Sequence, residues 1–263
     1  MIDLHSHLIP AGDDGAQSIE QSCAALSALA QQDVKVAITT PHVDASLTHD
    51  QAMLELRLAE LDHGWSLLNA HALQHHPDLQ VQRGVELMLD VPDPRIADSR
   101  LRLAGGSFLL CEFPFMSVPP RSPEIVAELC ARDCLPIIAH PERYSGFAPD
   151  YSLAELWRRR GGYLQVNGGS LLGRYGPMAR QFAFGLLERG LVDYLGSDYH
   201  ARGKPAVREY CTLLEELGGH EQVQLLTRTN PSRILVNELP VPVPPLQVKR
   251  SLWGRVSGLF RQS

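Results

Sequence analysis

Short runs of β-branched and apolar residues alternate with helix-favouring segments along this chain, and this alternation constrains the fold more than any other feature. The strand-like runs cover residues 2–4, 34–39, 79–85, 107–112, 135–139, 162–166 and 192–196. Such alternation predicts parallel strands joined by right-handed helical crossovers. About seven units of this kind favour a closed, TIM-like (βα)7 barrel over an open sheet, with functional groups at the carboxyl ends of the strands.

The helices are predicted between these runs. They cover residues 18–32, 50–76, 122–132, 153–160, 177–189, 206–217 and 220–227, with a short final helix beginning at Asn230-Pro231. Ser18 is the predicted N-cap of the first helix, because its hydroxyl can accept a hydrogen bond from a free backbone N–H. The Pro-rich run 240–245 predicts a linker that closes the domain.

Length and composition are those of an ordinary globular protein. The 263 residues, 44% hydrophobic and 21% charged, suit one large α/β domain. Five cysteines without Cys-x-x-Cys spacing, and an N-terminus that does not resemble a signal peptide, predict a cytoplasmic protein with reduced thiols. The net charge of −6 argues against nucleic acid as a partner.

The end of the chain differs in charge from the rest. We predict a domain over residues 1–239, followed at 240–263 by the Pro-rich linker and a basic tail. Residues 249–261 would form a helix with apolar side chains on one face and arginines opposite. This pattern fits a helix that docks on a partner or on anionic lipid at the inner face of the membrane, and it fits a frayed or self-packing tail equally well.

Histidines and carboxylates follow the strand-like runs in chain order. The candidate metal ligands are His5, His7, Asp14, His42, Glu86, Glu112, His140, Asp198 and His200, with Asp13 as an alternative to Asp14. Each alone has an ordinary interpretation as a loop or solvated residue, but these interpretations would all have to hold together. A carboxylate that ends an apolar strand, such as Glu86 or Glu112, is costly to bury without a cation.

This set of ligands predicts a multi-metal site. Nine nitrogen and oxygen ligands exceed what one tetrahedral ion can use, so two or three divalent ions are expected. Manganese, iron, zinc and magnesium all suit these ligands. Arg143 is the best candidate for a phosphate clamp, because its planar guanidinium can hold two phosphoryl oxygens, and Arg202 and Lys204 are further candidates.

Several motifs together resemble the polymerase-and-histidinol-phosphatase (PHP) superfamily, and within it the bacterial capsule-biosynthesis phosphatases of the CpsB/YwqE type. They are MIDLHSH, DDGAQSIEQS, TTPHV, GVEL, LCEFPF, IIAHPERY, LQVNGGSLLG and GSDYHARGKP. The resemblance implies a distorted (βα)7 barrel, a three-metal centre that usually holds manganese, and the nine ligands above. It places a phosphate-binding arginine on Arg143. The family's second arginine falls at Lys204-Pro205, so Lys204 or the nearby Arg202 would replace it.

The predicted function is metal-dependent hydrolysis of phosphotyrosine. Arg143, Glu112 and His140 are the predicted catalytic residues, and the resemblance implies a membrane-associated tyrosine autokinase of capsule or exopolysaccharide synthesis as substrate. No cysteine has an arginine six positions later, which excludes the Cys-x5-Arg route to phosphotyrosine. The alternatives are a small-molecule phosphomonoesterase of the histidinol-phosphatase type, a metal-dependent nuclease and a non-catalytic metal-binding scaffold.

Overall fold

The structure, a computed structural model, describes residues 1–144 and 150–248. Its strands are β1 (Ile2–Ser6), β2 (Val36–Thr39), β3 (His42–Asp44), β4 (Gln80–Arg83), β5 (Glu86–Met88), β6 (Phe108–Glu112), β7 (Leu135–Ala139), β8 (Tyr163–Asn167) and β9 (Tyr194–Gly196). All of the pairings between these strands are parallel. The α/β class with parallel sheets is therefore confirmed.

Helices connect the strands as the alternation predicts. They are α1 (Ile19–Ala30), α2 (Gln51–His75), α3 (Ser122–Cys130), α4 (Ser152–Arg159), α5 (Gly168–Leu171), α6 (Gly176–Glu188), α7 (Val207–Glu216), α8 (His220–Gln224) and α9 (Asn230–Leu235). Shorter 3-10 turns cover Ala45–His49, Ser99–Leu101, Leu103–Gly105 and Pro141–Arg143, and a π-helical turn covers Leu225–Thr229. Ser18 caps α1, as predicted, by accepting from the backbone N–H of Gln21.

The strands form two sheets, ordered β1-β2-β4 and β3-β5-β6-β7-β8-β9. Nine strands replace the predicted seven because β3 and β5 follow β2 and β4 after only two residues each. Pro41, which has no backbone N–H to donate, lies at the first of these breaks. Backbone hydrogen bonds from His7 to Tyr199 and from Asp198 to His5, both 2.9 Å, tie β1 to the segment that follows β9.

Two apolar clusters hold these layers together. The smaller one lies among the strands and includes Leu4, Ile38, Phe108 and Ile137, all fully buried. The larger one lies between the strands and the helices. Because α2, α3 and α4 pack against the strands, the strand ends are left free to present polar side chains.

The segment after α9 runs back over the domain. Val243 and Leu246 are buried, the backbone N–H of Leu246 donates to Leu187 O at 2.9 Å, and Gln222 Nε2 donates to Pro244 O at 3.0 Å. The predicted basic helix at 249–261 lies outside the described residues. Among residues 1–144 and 150–248, no helix combines the length and apolar character that a membrane span requires.

Candidate metal centre

The nine side chains that the sequence predicts as metal ligands lie together at one end of the strands. They come from the carboxyl ends of β1, β6, β7 and β9 and from the junctions between β2 and β3 and between β4 and β5. The residues are His5, His7, Asp14, His42, Glu86, Glu112, His140, Asp198 and His200, and each has an imidazole or carboxylate atom within 4 Å of another member of the set.

The most deeply buried part of this cluster has four side chains whose ligand atoms all lie within 4.8 Å of one another: His5, His7, Glu86 and Asp198. His5 Nε2 is 3.0 Å from Glu86 Oε2 and 3.4 Å from Asp198 Oδ1. His7 Nε2 is 3.4 and 3.3 Å from the same two oxygens. The two Nε2 atoms are themselves 3.2 Å apart. Two imidazoles and two carboxylates therefore face one small volume.

A second group lies nearer the mouth of the site and consists of His7, Asp14, His42 and His200. Asp14 Oδ1 is 3.2 Å from His200 Nε2 and 3.7 Å from His42 Nε2. The rings of His7 and His200 stack with their centroids 4.0 Å apart. The Asp14 side chain is 59% exposed, so this group opens towards solvent.

A third group joins His42 to the carboxylates of Glu86 and Glu112. Glu112 Oε1 is 3.2 Å from His42 Nδ1, and Glu112 Oε2 is 3.6 Å from His140 Nε2. His140 Nε2 is also 2.9 Å from Glu86 Oε1. Glu86, which is fully buried, therefore lies at the centre of the whole cluster.

The backbone is constrained where it presents these groups. His140 and Asp198 have φ angles of 33° and 50°, in the left-handed region that residues other than glycine rarely adopt. Strain of this kind concentrates at functional sites. A Cβ atom at Gly15 would lie 2.2 Å from the carbonyl oxygen of His7, so only glycine lets the loop that carries Asp14 approach β1 this closely.

A chain of buried hydrogen bonds determines where His5 carries its proton. Asn167 Nδ2 donates to Asp198 Oδ2 at 2.7 Å, which leaves Asn167 Oδ1 to accept from Gln165 Nε2 at 2.9 Å. Gln165 Oε1 must then accept from His5 Nδ1, 2.7 Å away. The hydrogen is therefore on Nδ1, and His5 Nε2 turns its lone pair towards the carboxylates.

Asp13 holds the proton of His7 on Nδ1, as Gln165 does for His5. Its Oδ2 is 2.6 Å from His7 Nδ1 and also accepts from the backbone N–H of His42 at 3.0 Å. The sequence offered Asp13 as an alternative ligand, but its carboxylate lies behind the His7 ring, away from the ligand atoms of the cluster. Asp14, the next residue, reaches the cluster in its place.

This arrangement fits divalent metal ions. Because both Nδ1 atoms face acceptors, the Nε2 lone pairs of His5 and His7 converge with the oxygens of Glu86 and Asp198. Lone pairs and negative charges this close together repel one another unless a cation or a proton lies among them. Imidazole with carboxylate is a ligand set that manganese, iron and zinc accept.

The pKa shifts of His5 and Glu86 show that the cluster stabilises positive charge. Burial alone would lower the pKa of His5, but the attraction of Glu86 and Asp198 outweighs burial and raises this pKa to about 9. Burial alone would raise the pKa of Glu86, but His5 and His140 lower it well below its usual value. Protons and metal ions therefore compete for the same nitrogen atoms.

Arg143, the predicted phosphate clamp, lies beside the cluster. Its Nη1 donates to Asp198 Oδ2 at 2.5 Å, and its side chain remains 24% exposed. It borders a cavity of about 320 Å³ that Arg202 and Lys204 also line. Arg202 donates to the backbone carbonyl of Asp14. Both candidates for the second phosphate-binding residue therefore face the same cavity as Arg143.

Four residues at the site were not predicted from the sequence. Gln165 and Asn167 lie on β8 and connect His5 to the carboxylate of Asp198, and Arg174 and Tyr175 line the cavity. The spacing of Gln165 and Asn167, two residues apart on one strand, puts them on the same face and could have indicated a shared role. Arg174 and Tyr175 follow a glycine in a tight turn, and no sequence pattern links them to Arg143.

The cysteines do not contribute to this site. Cys111 and Cys134 are fully buried, and burial raises the pKa of Cys111 well above its usual value and that of Cys134 to about 12. Burial likewise raises the pKa of Cys211 to about 12. Thiols held in their neutral form are poor nucleophiles.

Comparison with known proteins places these features in context. The profile of the family described as "Capsular polysaccharide synthesis, CpsB/CapC" matches residues 1–236. The tyrosine-protein phosphatase YwqE of Bacillus subtilis is 30% identical over 254 residues, which cover 95% of this chain and 97% of YwqE.

Solved structures agree with the sequence relatives. A chain from the crystal structures of Bacillus subtilis YwqE and Streptococcus pneumoniae CpsB, described as metal-dependent tyrosine phosphatases, superposes with a TM-score of 0.81 at 29% identity. That match covers 95% of this chain and 100% of the solved chain. An amidohydrolase from Mycoplasma synoviae shares the fold alone, with a TM-score of 0.53 at 12% identity over 99% of this chain and 94% of its own.

Proposed function

The chain belongs to the CpsB/CapC family of capsular polysaccharide synthesis, and from that premise we propose that it is a metal-dependent protein-tyrosine phosphatase. One observation supports this most: nine imidazole and carboxylate groups converge beside an arginine that borders an open cavity. The tyrosine-protein phosphatase YwqE matches almost the full length of the chain, so the proposal concerns the whole protein.

The nine converging side chains are the proposed metal ligands, holding two or three divalent ions. Each pair of these three groups has one residue in common, His7, His42 or Glu86, which favours a compact cluster over separate sites. Manganese is the ion we propose, with iron, zinc and magnesium also compatible with these ligands. Glu112, with one oxygen near His42 and the other near His140, would supply carboxylate oxygens to the ions.

The position of the cluster fits the fold that the sequence predicts. We infer that the two sheets, joined by the backbone hydrogen bonds between β1 and the segment after β9, form a distorted (βα)7 barrel of the PHP type. In such a barrel the carboxyl ends of the strands surround one mouth, which is where active sites form.

When bound, divalent ions lower the pKa of water and offset the charge on phosphoryl oxygens. The protein's own groups then have separate tasks. Arg143 binds the phosphoryl oxygens and stabilises the charge that develops on them, because its guanidinium already faces the cavity. Asp198 orients Arg143 with one oxygen and leaves the other for the cluster. His140 turns its Nε2 towards Glu86 and Glu112, where it would act as a metal ligand, so water is the candidate for protonating the leaving group.

The leaving group suits this site. A tyrosine phenol has a pKa of about 10, so it departs with less help from a proton donor than an aliphatic alcohol would need. The alternative thiol route has no support, since the Cys111 and Cys134 thiols are buried and neutral.

The test is hydrolysis of a phosphotyrosine peptide after chelation, after metal add-back and after thiol alkylation. We expect EDTA dialysis to abolish activity, manganese to restore it and iodoacetamide to leave it unchanged. The variant His5→Ala should be inactive under all three conditions. Activity that survives both dialysis and His5→Ala would contradict the proposal.

The physiological substrate we propose is a phosphotyrosine protein of capsule or exopolysaccharide synthesis, specifically a membrane-associated tyrosine autokinase. The family supports the process, and the tyrosine phosphatase relatives support the chemistry. We propose that the enzyme acts at the cytoplasmic face of the membrane through the basic segment 249–261. Equal sedimentation with anionic liposomes by the full chain and by a variant ending at Pro245 would exclude this contact.

A small-molecule phosphomonoesterase is the second candidate, because a cavity of about 320 Å³ would admit a small phosphoester. Ranking substrates by kcat/KM separates the two functions. We expect phosphotyrosine peptides to exceed histidinol phosphate, and the reverse order would favour the second candidate.

A further inference from the structure

Two aromatic rings lie next to the guanidinium of Arg143. The Cζ atom of Arg143 is 4.2 Å from the ring centroid of Tyr175 and 5.8 Å from that of Phe115. Both residues keep part of their surface in solvent, since Tyr175 is 39% exposed and Phe115 is 43% exposed. Tyr175 also lines the cavity that leads to the metal cluster. An aromatic surface therefore borders the place where the phosphoryl group is to bind.

The position of Tyr175 is set by the backbone around it. Tyr175 immediately precedes α6, and Gly176, with φ of 89°, turns the chain into the helix. The ring packs against Gly169 at the start of α5, where an added Cβ atom would come within 3.0 Å of Tyr175 Cε2. The absence of a side chain at Gly169 thus leaves room for the Tyr175 ring beside the cavity.

We propose that Tyr175 and Phe115 contact the phenyl ring of the substrate and make the site selective for aryl over alkyl phosphoesters. This inference rests on the proposed phosphatase function. In phosphotyrosine a single ester oxygen joins the phosphorus atom to the aromatic ring. When Arg143 binds the phosphoryl group, the ring therefore lies close to Arg143. That ring would lie against Tyr175 and Phe115, where offset or edge-to-face contacts are favourable. Phosphoserine places one aliphatic carbon there and gains little.

The two rings could instead serve only to hold Arg143 through cation–π contact, and the two roles make different predictions. If the rings only position Arg143, their loss weakens every ligand that binds through its phosphoryl group. If they contact the substrate ring, their loss weakens aromatic ligands selectively. Non-hydrolysable ligands separate these outcomes from differences in leaving-group chemistry.

The experiment measures competitive inhibition of p-nitrophenyl phosphate hydrolysis by three ligands. They are inorganic phosphate, a peptide with phosphonomethyl-phenylalanine and the same peptide with the phosphonate analogue of phosphoserine. For Tyr175→Ala and Phe115→Ala we expect the inhibition constant of the aromatic peptide to rise about tenfold, the size of one well-placed aromatic contact. The other two constants should change less than twofold. Tyr175→Phe, which keeps the ring, should behave like the wild type.

The matched control is Leu73→Ala, another exposed apolar side chain at 71% exposure. Both Leu73 and Arg57 lie on α2, and Arg57 marks the part of this helix that is near the site, because it donates to the carbonyl oxygen of Gly12. Leu73 is about 24 Å from Arg57 along the helix axis and is therefore remote from the site. This variant should leave all three inhibition constants unchanged. Thermal melting and metal content verify that each variant is folded.

Equal weakening of all three ligands in Tyr175→Ala and Phe115→Ala would overturn the inference, and so would no change in any of them. The proposed function is tested separately, by turnover of a phosphotyrosine peptide by the wild-type enzyme. If the wild-type enzyme does not turn over this peptide, the phosphatase proposal is refuted. If it does, but the variants bind the aromatic peptide as tightly as the wild type, only the role of the rings is refuted.

Discussion

The hydrogen-bond chain behind His5 gives a sharp prediction for Gln165→Met. This substitution keeps the length and approximate volume of the side chain but removes both of its buried hydrogen bonds, 2.7 Å to His5 Nδ1 and 2.9 Å to Asn167 Oδ1. Without the acceptor at Gln165, the proton of His5 can move to Nε2, the atom that faces the cluster. A ring in that tautomer cannot bind a metal ion there.

The expected effect is a weaker metal site in a folded protein. Loss of a partner that orients a metal-binding histidine typically costs 10- to 100-fold in metal affinity. This range corresponds to about 1.4–2.8 kcal/mol, which agrees with the cost of leaving one buried donor unpaired. We therefore expect the dissociation constant of the first manganese ion to rise by that factor in Gln165→Met.

Isothermal titration of the metal-free protein with manganese measures this directly. The control is Gln222→Met, which also removes a buried amide, one that donates to Pro244 O at 3.0 Å in a part of the chain away from the cluster. It should lower the melting temperature and leave manganese affinity unchanged. Gln165→Met with an affinity within twofold of the wild type would refute the argument that Gln165 sets the tautomer of His5.

Three further predictions concern the protonation of His5, the role of Arg143 and the buried carboxyl group of Asp193. Since the pKa of His5 is raised to about 9, its ring is an imidazolium at pH 7, with a second proton on Nε2 that a metal ion must displace. Metal binding should then release protons and weaken as the pH falls, which titrations in buffers of different ionisation enthalpy would detect; no proton release would contradict this. Arg143→Lys should lower kcat/KM for a phosphotyrosine peptide by about 100-fold with metal content unchanged, because the planar fork is lost; near wild-type kinetics would exclude Arg143 as the clamp. Burial raises the pKa of Asp193 from 3.8 to about 6, despite its ion pair with Arg158, so its contribution to folding is most favourable below about pH 4 and is lost as the pH rises to about 6. The free energy of unfolding of the wild type, measured with urea, should therefore fall by about 3 kcal/mol between pH 4 and pH 6 relative to that of Asp193→Asn. Free energies of unfolding that vary with pH in the same way in both proteins would contradict this.

The strand ends could be predicted from the sequence because parallel strands bring their carboxyl ends to one side. His5, Glu112 and His140 each end or follow an apolar run, and that position alone indicates that they meet. The structure brings them together. The choice between Asp13 and Asp14 depended on the path of a tight loop, which local sequence preferences do not determine.

Other parts of the site depend on contacts between distant segments. Gln165 and Asn167 lie in a strand whose other residues are apolar, and the sequence does not show that His5 and Asp198 lie beside them. Tyr175 meets Arg143 only because α5 and the turn before α6 fold over the cavity. The strands β3 and β5 begin just beyond two of the predicted strands and join the other sheet, a change of sheet that residue propensities do not record.

The central claim is that the nine converging side chains hold the ions required for phosphotyrosine hydrolysis. Anomalous diffraction at the manganese edge, from crystals of enzyme that is active with manganese, tests this most directly. We expect two or three anomalous peaks within about 2.0–2.3 Å of imidazole nitrogen and carboxylate oxygen atoms of the cluster. An active crystal with no peak among His5, Glu86, Glu112 and Asp198 would contradict the account.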